Sequence, residues 1–106
     1  MLAIADSGST KADWKIINES GEELDFSTMG FNPNYHNRDT IINALERQFT
    51  PKASPEMVHR VIFYGAGCWD LGRKEKIASA LRAFFINAEV EVDHDLIIKK
   101  VLQLIN

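Results

Sequence analysis

The chain has 106 residues, of which 45% are hydrophobic and 25% charged, with a formal net charge of -3. This size and composition are typical of a single globular domain, here residues 1–106, and exclude a disordered or low-complexity chain. The acidic balance argues against nucleic acid and membrane surfaces as partners, because both require a dense basic surface. One cysteine, Cys68, and no apolar run long enough to span a bilayer predict a cytoplasmic protein without disulfides.

Turn residues divide the first thirty positions into three short strands. An apolar run at 1–6 ends at a polar turn, the segment from Ala12 to Asn18 alternates imperfectly, and the segment from Leu24 to Ser27 alternates again before Gly30. Strands joined by such short turns predict an antiparallel meander.

The remaining chain alternates helices and strands. Asn37 or Asp39 can cap a first helix and Asp70 a second, whereas the apolar run at 60–64 and the segment 89–92 predict strands. A last helix is expected at about 96–105. The order βββαβαβα predicts an α/β fold with a mixed five-stranded sheet, antiparallel meander plus parallel strands, in a ribonuclease-H-like arrangement with helices on its faces.

The first turn offers the chain's candidate phosphate site: Asp6, Ser7, Gly8, Ser9, Thr10 and Lys11. Small residues let the backbone approach an anion, while the hydroxyls and the lysine supply donors and positive charge. A carboxylate at the end of a buried strand is costly unless it lies near a cation, so Asp6 is a candidate metal ligand for hydrated Mg²⁺. The alternative is a plain hairpin turn, where small polar residues are common.

The same turn also points to a family. The segment from Ala5 to Trp14, Ala-Asp-Ser-Gly-Ser-Thr-Lys-Ala-Asp-Trp, resembles the first phosphate motif of the sugar kinase, Hsp70 and actin superfamily. It is most similar to N-acetylglucosamine kinases and the related BadF/BadG-type ATPases. The resemblance implies ATP and Mg²⁺ as cofactors and a small-molecule amino sugar as substrate.

Two later segments resemble the sugar-binding parts of this family. Gly30-Phe-Asn-Pro-Asn34 is similar to an Asn-Pro segment whose asparagine contacts the sugar, which assigns that role to Asn32. Tyr64-Gly-Ala-Gly-Cys68 is similar to a glycine turn beside the sugar, which implies that Gly65, Ala66 and Gly67 lie near the substrate.

A third segment, Val90-Glu-Val-Asp-His-Asp-Leu96, resembles the strand end that carries the family's catalytic aspartate. Asp95 aligns with that residue, and Asp93 is the alternative. From the residues alone, Asp95 is better explained as an ordinary helix N-cap, because aspartate is among the best caps.

The resemblance covers only the first lobe of the family, because a second glycine-rich phosphate motif and an adenosine-binding segment are missing. We therefore expect the N-terminal phosphate- and sugar-binding lobe of an N-acetylglucosamine kinase, from a truncated gene or a shortened chain, and inactive alone. The alternatives are a lobe of a BadF-type activating ATPase and a non-catalytic α/β module that acts by self-association.

The final ten residues favour a homo-oligomer. They contain seven large apolar side chains spread around most of a helix: Leu96, Ile97, Ile98, Val101, Leu102, Leu104 and Ile105. Such a helix requires burial on more than one side, which predicts a symmetric dimer through the C-terminal helix.

Other candidates are weaker. The histidines share no ligand spacing with Cys68, so no zinc site is expected. Trp69 is either a packing residue or, because it follows the glycine turn, a residue that lines a sugar face. Arg73, Lys74 and Lys76 are typical of a solvated helix face, with phosphate steering as the alternative.

Overall fold

The computed structural model describes residues 1–94, so Asp95 and the predicted helix at 96–105 lie outside the described residues. The strands are β1 (Leu2–Ser7), β2 (Lys11–Ile17), β3 (Glu23–Met29), β4 (Arg60–Gly65) and β5 (Glu89–His94). The helices are α1 (Arg38–Gln48) and α2 (Leu71–Phe84), with a short 3₁₀ turn at Pro55–Met57.

The strands form one sheet in the order β3-β2-β1-β4-β5. β1, β2 and β3 pair antiparallel, whereas β4 is parallel to β1 and β5 is parallel to β4. Parallel neighbours need a long connection, and α1 and α2 lie in the two connections that lead into β4 and β5. The predicted mixed sheet, a meander extended by two parallel strands, is confirmed.

The fifth strand is longer than its sequence predicts. Asp93 pairs with Tyr64 and His94 with Gly65, so both belong to β5 and not to the approach to a helix. β4 offers backbone partners at these positions, and strand pairing overrides the weak intrinsic preference of aspartate for strands. The prediction that β5 ends at Val92 was therefore wrong by two residues.

One face of the sheet carries the main core, and both α1 and α2 pack on this face. β1 contributes only the small Ala3 and Ala5 there, which leaves room for aromatic rings from neighbouring elements. Phe49, just after α1, lies 5.2 Å from Trp14 and 4.9 Å from Phe85 between ring centroids, both edge to face. The buried Trp14 indole N–H donates to the Thr28 hydroxyl at 2.9 Å, so its polar atom is satisfied.

Both helices begin at the caps that the sequence predicts. The Asn37 side chain accepts the Thr40 N–H at 2.9 Å, and the Asp70 carboxylate accepts the Arg73 N–H at 2.8 Å. Each cap satisfies a backbone donor of the first turn that has no partner within the helix. The Asp70 cap fixes the start of α2 beside the end of β4, which is where the candidate site lies.

The opposite face of the sheet has a smaller apolar cluster of Ile4 and Tyr64, with Leu2, Ile17 and Ile62 packed against it. Charged side chains of β1, β2 and β5 share this face. Within residues 1–94, no helix is long and apolar enough to cross a membrane.

The aromatic core should dominate stability, and Phe49 lies at its centre. We expect Phe49→Ala to lower the free energy of unfolding by about 3–5 kcal/mol, because it removes a fully buried ring and leaves a cavity. Ile86→Ala, which truncates an exposed side chain, is the matched control and should cost less than about 0.5 kcal/mol. Urea unfolding of the three proteins tests this, and equal midpoints for both variants would contradict it.

Candidate functional site

The carboxyl ends of three parallel strands meet at one edge of the sheet. Ser7 of β1, Gly65 of β4 and His94 of β5 are successive register partners there. Asp6, Tyr64 and Asp93 form the preceding row and share the face opposite the helices. Ligands of open α/β sheets bind beyond this kind of edge, so the predicted residues Asp6, Gly65 and Asp93 lie where a site is expected.

Ser7 joins the three segments that the sequence singles out: the hairpin loop (residues 8–10), the asparagine segment (residues 30–36) and the glycine turn (residues 65–68). Its hydroxyl accepts the Phe31 N–H at 2.9 Å and donates to the Gly8 carbonyl at 3.1 Å. Its own carbonyl accepts the Ala66 N–H at 2.9 Å. Ser7 is only 1% exposed, so its hydroxyl serves this junction within the chain.

Gly30 brings the asparagine segment into direct contact with the hairpin loop. A Cβ atom at Gly30 would lie 2.7 Å from the Lys11 backbone nitrogen and still closer to the Gly8 carbonyl oxygen. Both neighbours are backbone atoms of a hairpin that is itself closed by the Gly8 N–H donating to the Lys11 carbonyl at 2.8 Å. Only glycine permits this approach.

Asn32 lies between the hairpin loop and the glycine turn and is 5% exposed. Its Oδ1 accepts the Asn34 N–H at 2.9 Å, and its Nδ2 is 3.5 Å from the Ser9 hydroxyl. On the other side, a Cβ at Gly67, where φ is +81°, would lie 2.8 Å from the same Oδ1. The asparagine amide is therefore held between the predicted phosphate segment and the predicted sugar segment.

Sequence reasoning missed His36, which binds the backbone of Asn32. The Asn32 backbone N–H donates to His36 Nδ1 at 3.0 Å, and the His36 N–H donates to the Asn32 carbonyl at 2.9 Å. The four-residue spacing within a proline-containing turn is the signal that could have indicated such a closed loop.

The basic residues of α2 hold neighbouring segments, so the prediction of a merely solvated face was incomplete. Lys76 Nζ donates to the Pro33 carbonyl at 2.8 Å, and Arg73 Nε donates to Asn34 Oδ1 at 3.0 Å. Arg73 also pairs with Asp70. These bonds connect the start of α2 to the asparagine segment.

The hairpin loop is exposed at Ser9 and Thr10, and Lys11 follows it with its ammonium 3.3 Å from Asp13 Oδ1. Their hydroxyls and the lysine charge are accessible to an anion. The Gly8 N–H is already used by the Lys11 carbonyl, so a bound phosphate must use other donors of this loop.

Asp6 and Asp13 are direct register partners on neighbouring strands. Two carboxylates opposite each other are unfavourable without a cation. Both line an open groove of about 470 Å³ on the face opposite the helices. Carboxylate oxygens beside an open groove fit a hydrated Mg²⁺ ion, which keeps several waters and takes one or two protein carboxylates.

Asp93 is held at the end of β5. Its Oδ1 accepts the His94 N–H at 2.8 Å and lies 3.1 Å from Lys74 Nζ. The backbone hydrogen bond, followed by Lys74, holds the pKa of Asp93 below its ordinary value. In the adjacent strand, burial raises the pKa of Tyr64, and the charges of Glu91 and Asp93 add to this effect.

The structure thus brings Asp6, the hairpin loop, Asn32 and the glycine turn together, with Asp93 two strands from Asp6.

A crystal structure from Porphyromonas gingivalis, of a protein provisionally named an N-acetylglucosamine kinase, is similar with a TM-score of 0.77 and 35% sequence identity. The chain is built like one lobe of a sugar kinase. The similarity covers 90% of this chain and 34% of that protein, so the chain spans about a third of its length.

The resemblance to N-acetylglucosamine kinases that the sequence predicts is thereby confirmed. No protein-family model and no curated protein matches the chain.

Gly30 allows a direct test of the junction. We expect Gly30→Ala to lower the free energy of unfolding by about 1–3 kcal/mol, because the methyl group cannot fit against two backbone segments. Gly72→Ala is the control, since its Cβ would make only an ordinary 3.6 Å contact and alanine favours the helix by about 0.5–1 kcal/mol. Thermal unfolding and backbone NMR shifts of residues 8–10 are the measurements. A Gly30→Ala variant as stable as the wild type, with unshifted loop signals, would refute the close approach.

Asp93 should contribute a pH-dependent part of stability. Its folded-state pKa is lowered from the ordinary value of 3.8, so its contribution is fully present above that value and is lost as the pH falls through the folded-state pKa. The stability difference between wild type and Asp93→Asn should therefore be largest near neutral pH and shrink in strong acid. Urea unfolding across the acid range tests this; a difference that does not vary with pH would contradict it.

Proposed function

We propose that the chain is the N-terminal phosphate- and sugar-binding lobe of an ATP-dependent amino-sugar kinase, with N-acetylglucosamine as acceptor. The observation that supports this most is the convergence of the hairpin loop, the asparagine segment and the glycine turn around Ser7. The similarity to a protein provisionally named an N-acetylglucosamine kinase supports the choice of sugar.

On the nucleotide side, the exposed hydroxyls of Ser9 and Thr10 and the charge of Lys11 bind the phosphates of ATP. The hairpin backbone is held in one conformation, because the Gly8–Lys11 hydrogen bond closes it and Gly30 packs directly against it. A rigid cradle binds an anion with little ordering cost.

Asp6 would hold the hydrated Mg²⁺ ion, with Asp13 as its register partner on β2. When bound, the ion neutralises charge on the phosphates. Lys11 lies 3.3 Å from Asp13. We assign the metal to Asp6 because it lies near the end of the central strand β1, beside the hairpin loop.

On the sugar side, Asn32 and the backbone of Gly65, Ala66 and Gly67 contact the hydroxyl and acetamido groups. The Ala66 N–H is used by the Ser7 carbonyl, so Ala66 contributes through its carbonyl or methyl group. The lack of a side chain at Gly67 keeps Asn32 close to the glycine turn.

Phosphoryl transfer to a sugar hydroxyl forms an oxygen–phosphorus bond and breaks the bond between the γ-phosphorus and its bridging oxygen, so that ADP leaves, while the hydroxyl proton passes to a carboxylate. We assign this proton acceptor to Asp95. Asp93, the alternative, is a weaker base than an ordinary aspartate, because its backbone hydrogen bond and Lys74 hold its pKa low.

The lobe should bind both ligands without turning them over, because the chain spans only 34% of the similar kinase-like protein. A cleft that encloses the reacting groups supplies positioning and electrostatic stabilisation, and one lobe cannot enclose them. Calorimetric titration with N-acetylglucosamine and with Mg-ATP, beside a coupled assay for ADP, tests this. Binding of neither ligand contradicts the proposed function. Turnover that Asp95→Asn abolishes contradicts the inactivity of the lobe alone.

Variants separate the two halves of the site. Asn32→Ala should weaken sugar binding about tenfold and Mg-ATP binding much less, because the amide is assigned to the sugar and its contact with the phosphate-binding Ser9 is a long one of 3.5 Å. Asn87→Ala is the matched control, since Asn87 lies beside Glu56 before β5, at the other end of the sheet. Equal sugar affinities for both variants would remove Asn32 from the sugar site.

A further inference from the structure

We propose that Trp69 is the platform on which the sugar ring rests, and so a specificity-determining residue of this site. The inference rests on the proposed function. It concerns a side chain outside the glycine turn and the asparagine segment.

Trp69 is positioned by its two chain neighbours and by one ring contact. It follows the glycine turn directly and precedes Asp70, the N-cap of α2, so its backbone lies between two fixed elements. Its indole packs on the imidazole of His94 at the end of β5, with ring centroids 4.0 Å apart and an interplanar angle of 38°. The ring is therefore supported on one side.

The indole is nevertheless 68% exposed. A tryptophan supported on one side and open on the other presents a flat apolar surface to solvent. A pyranose ring has a matching surface, because its C–H groups form an apolar face with partially positive hydrogens that complement the negative face of an aromatic ring.

The surroundings favour a small polar ligand over a protein partner. Asn32 contacts Gly67, two residues before Trp69, and the Asp70–Arg73 pair reaches Asn34. Polar groups that converge beside an aromatic surface are typical of small-molecule sites. A sugar bound here would direct its polar groups toward Asn32 and place its ring face on the indole.

Fluorescence provides a test in the intact 106-residue chain. Trp69 shares the emission with only one other tryptophan, Trp14, which is 2% exposed and bonded to Thr28. N-acetylglucosamine should change the emission of the wild type and leave that of Trp69→Phe unchanged. Calorimetry should show that Trp69→Phe retains binding within a few-fold.

Trp69→Ala should weaken N-acetylglucosamine binding by about tenfold or more with unchanged Mg-ATP affinity and an unchanged unfolding temperature. Leu71→Ala is the control, because Leu71 is also apolar and 83% exposed, two residues further along. It should bind sugar like the wild type.

The outcomes are distinguishable. A wild-type chain that binds no sugar overturns the proposed function and this inference together. Normal sugar affinity of Trp69→Ala overturns only the platform. A parallel loss of sugar and Mg-ATP affinity in Trp69→Ala would give Trp69 a structural role. A loss of self-association with unchanged sugar affinity would give it a partner-binding role. Either result would also overturn the platform.

Discussion

The close packing around Ser7 is the constraint on which the site depends. Its hydroxyl and carbonyl bind Phe31, Gly8 and Ala66, which belong to three segments far apart in sequence. Each bond adds only about 0.5–1.5 kcal/mol when made, but a buried donor left without its acceptor costs about 1–3 kcal/mol. The cost of an unpaired buried donor therefore does more to maintain the junction than the free energy of the hydrogen bonds themselves. Because Ser7 ends the central strand β1, a shift of the sheet would move all three segments together.

The two faces of the sheet differ in chemistry. The helix-bearing face is buried and rich in aromatic side chains, whereas the opposite face carries carboxylates on β1, β2 and β5. Burial, and then the charges of Glu91 and Asp93, favour the neutral phenol of Tyr64 and so raise its pKa. A polyphosphate near Asp6 and Asp13 would be repelled by their two carboxylates. On the proposed function, a cation is thus an electrostatic requirement of nucleotide binding on this lobe.

Local signals were sufficient for most elements and insufficient for the contacts that build the site. The caps at Asn37 and Asp70 and the glycine turn could be predicted because their physical causes lie within a few residues. The extension of β5 to His94 depends on pairing with Gly65, which no local pattern reveals. The same holds for Ser7, whose buried role is set by partners 24 and 59 residues away (31 − 7 and 66 − 7).

The exposed hydroxyls of the hairpin loop and the exposed indole of Trp69 have a common explanation if the lobe supplies half of a binding site. A ligand loses most of its translational and rotational entropy on binding, whether it is held by one surface or by two. A single surface therefore binds weakly even when every contact is well formed, and a second surface tethered to it adds contacts without repeating that cost. The rigidity of the Ser7 junction therefore matters more than the affinity of this lobe alone for its ligands. A preorganised half-site keeps the geometry that a second binding surface would need.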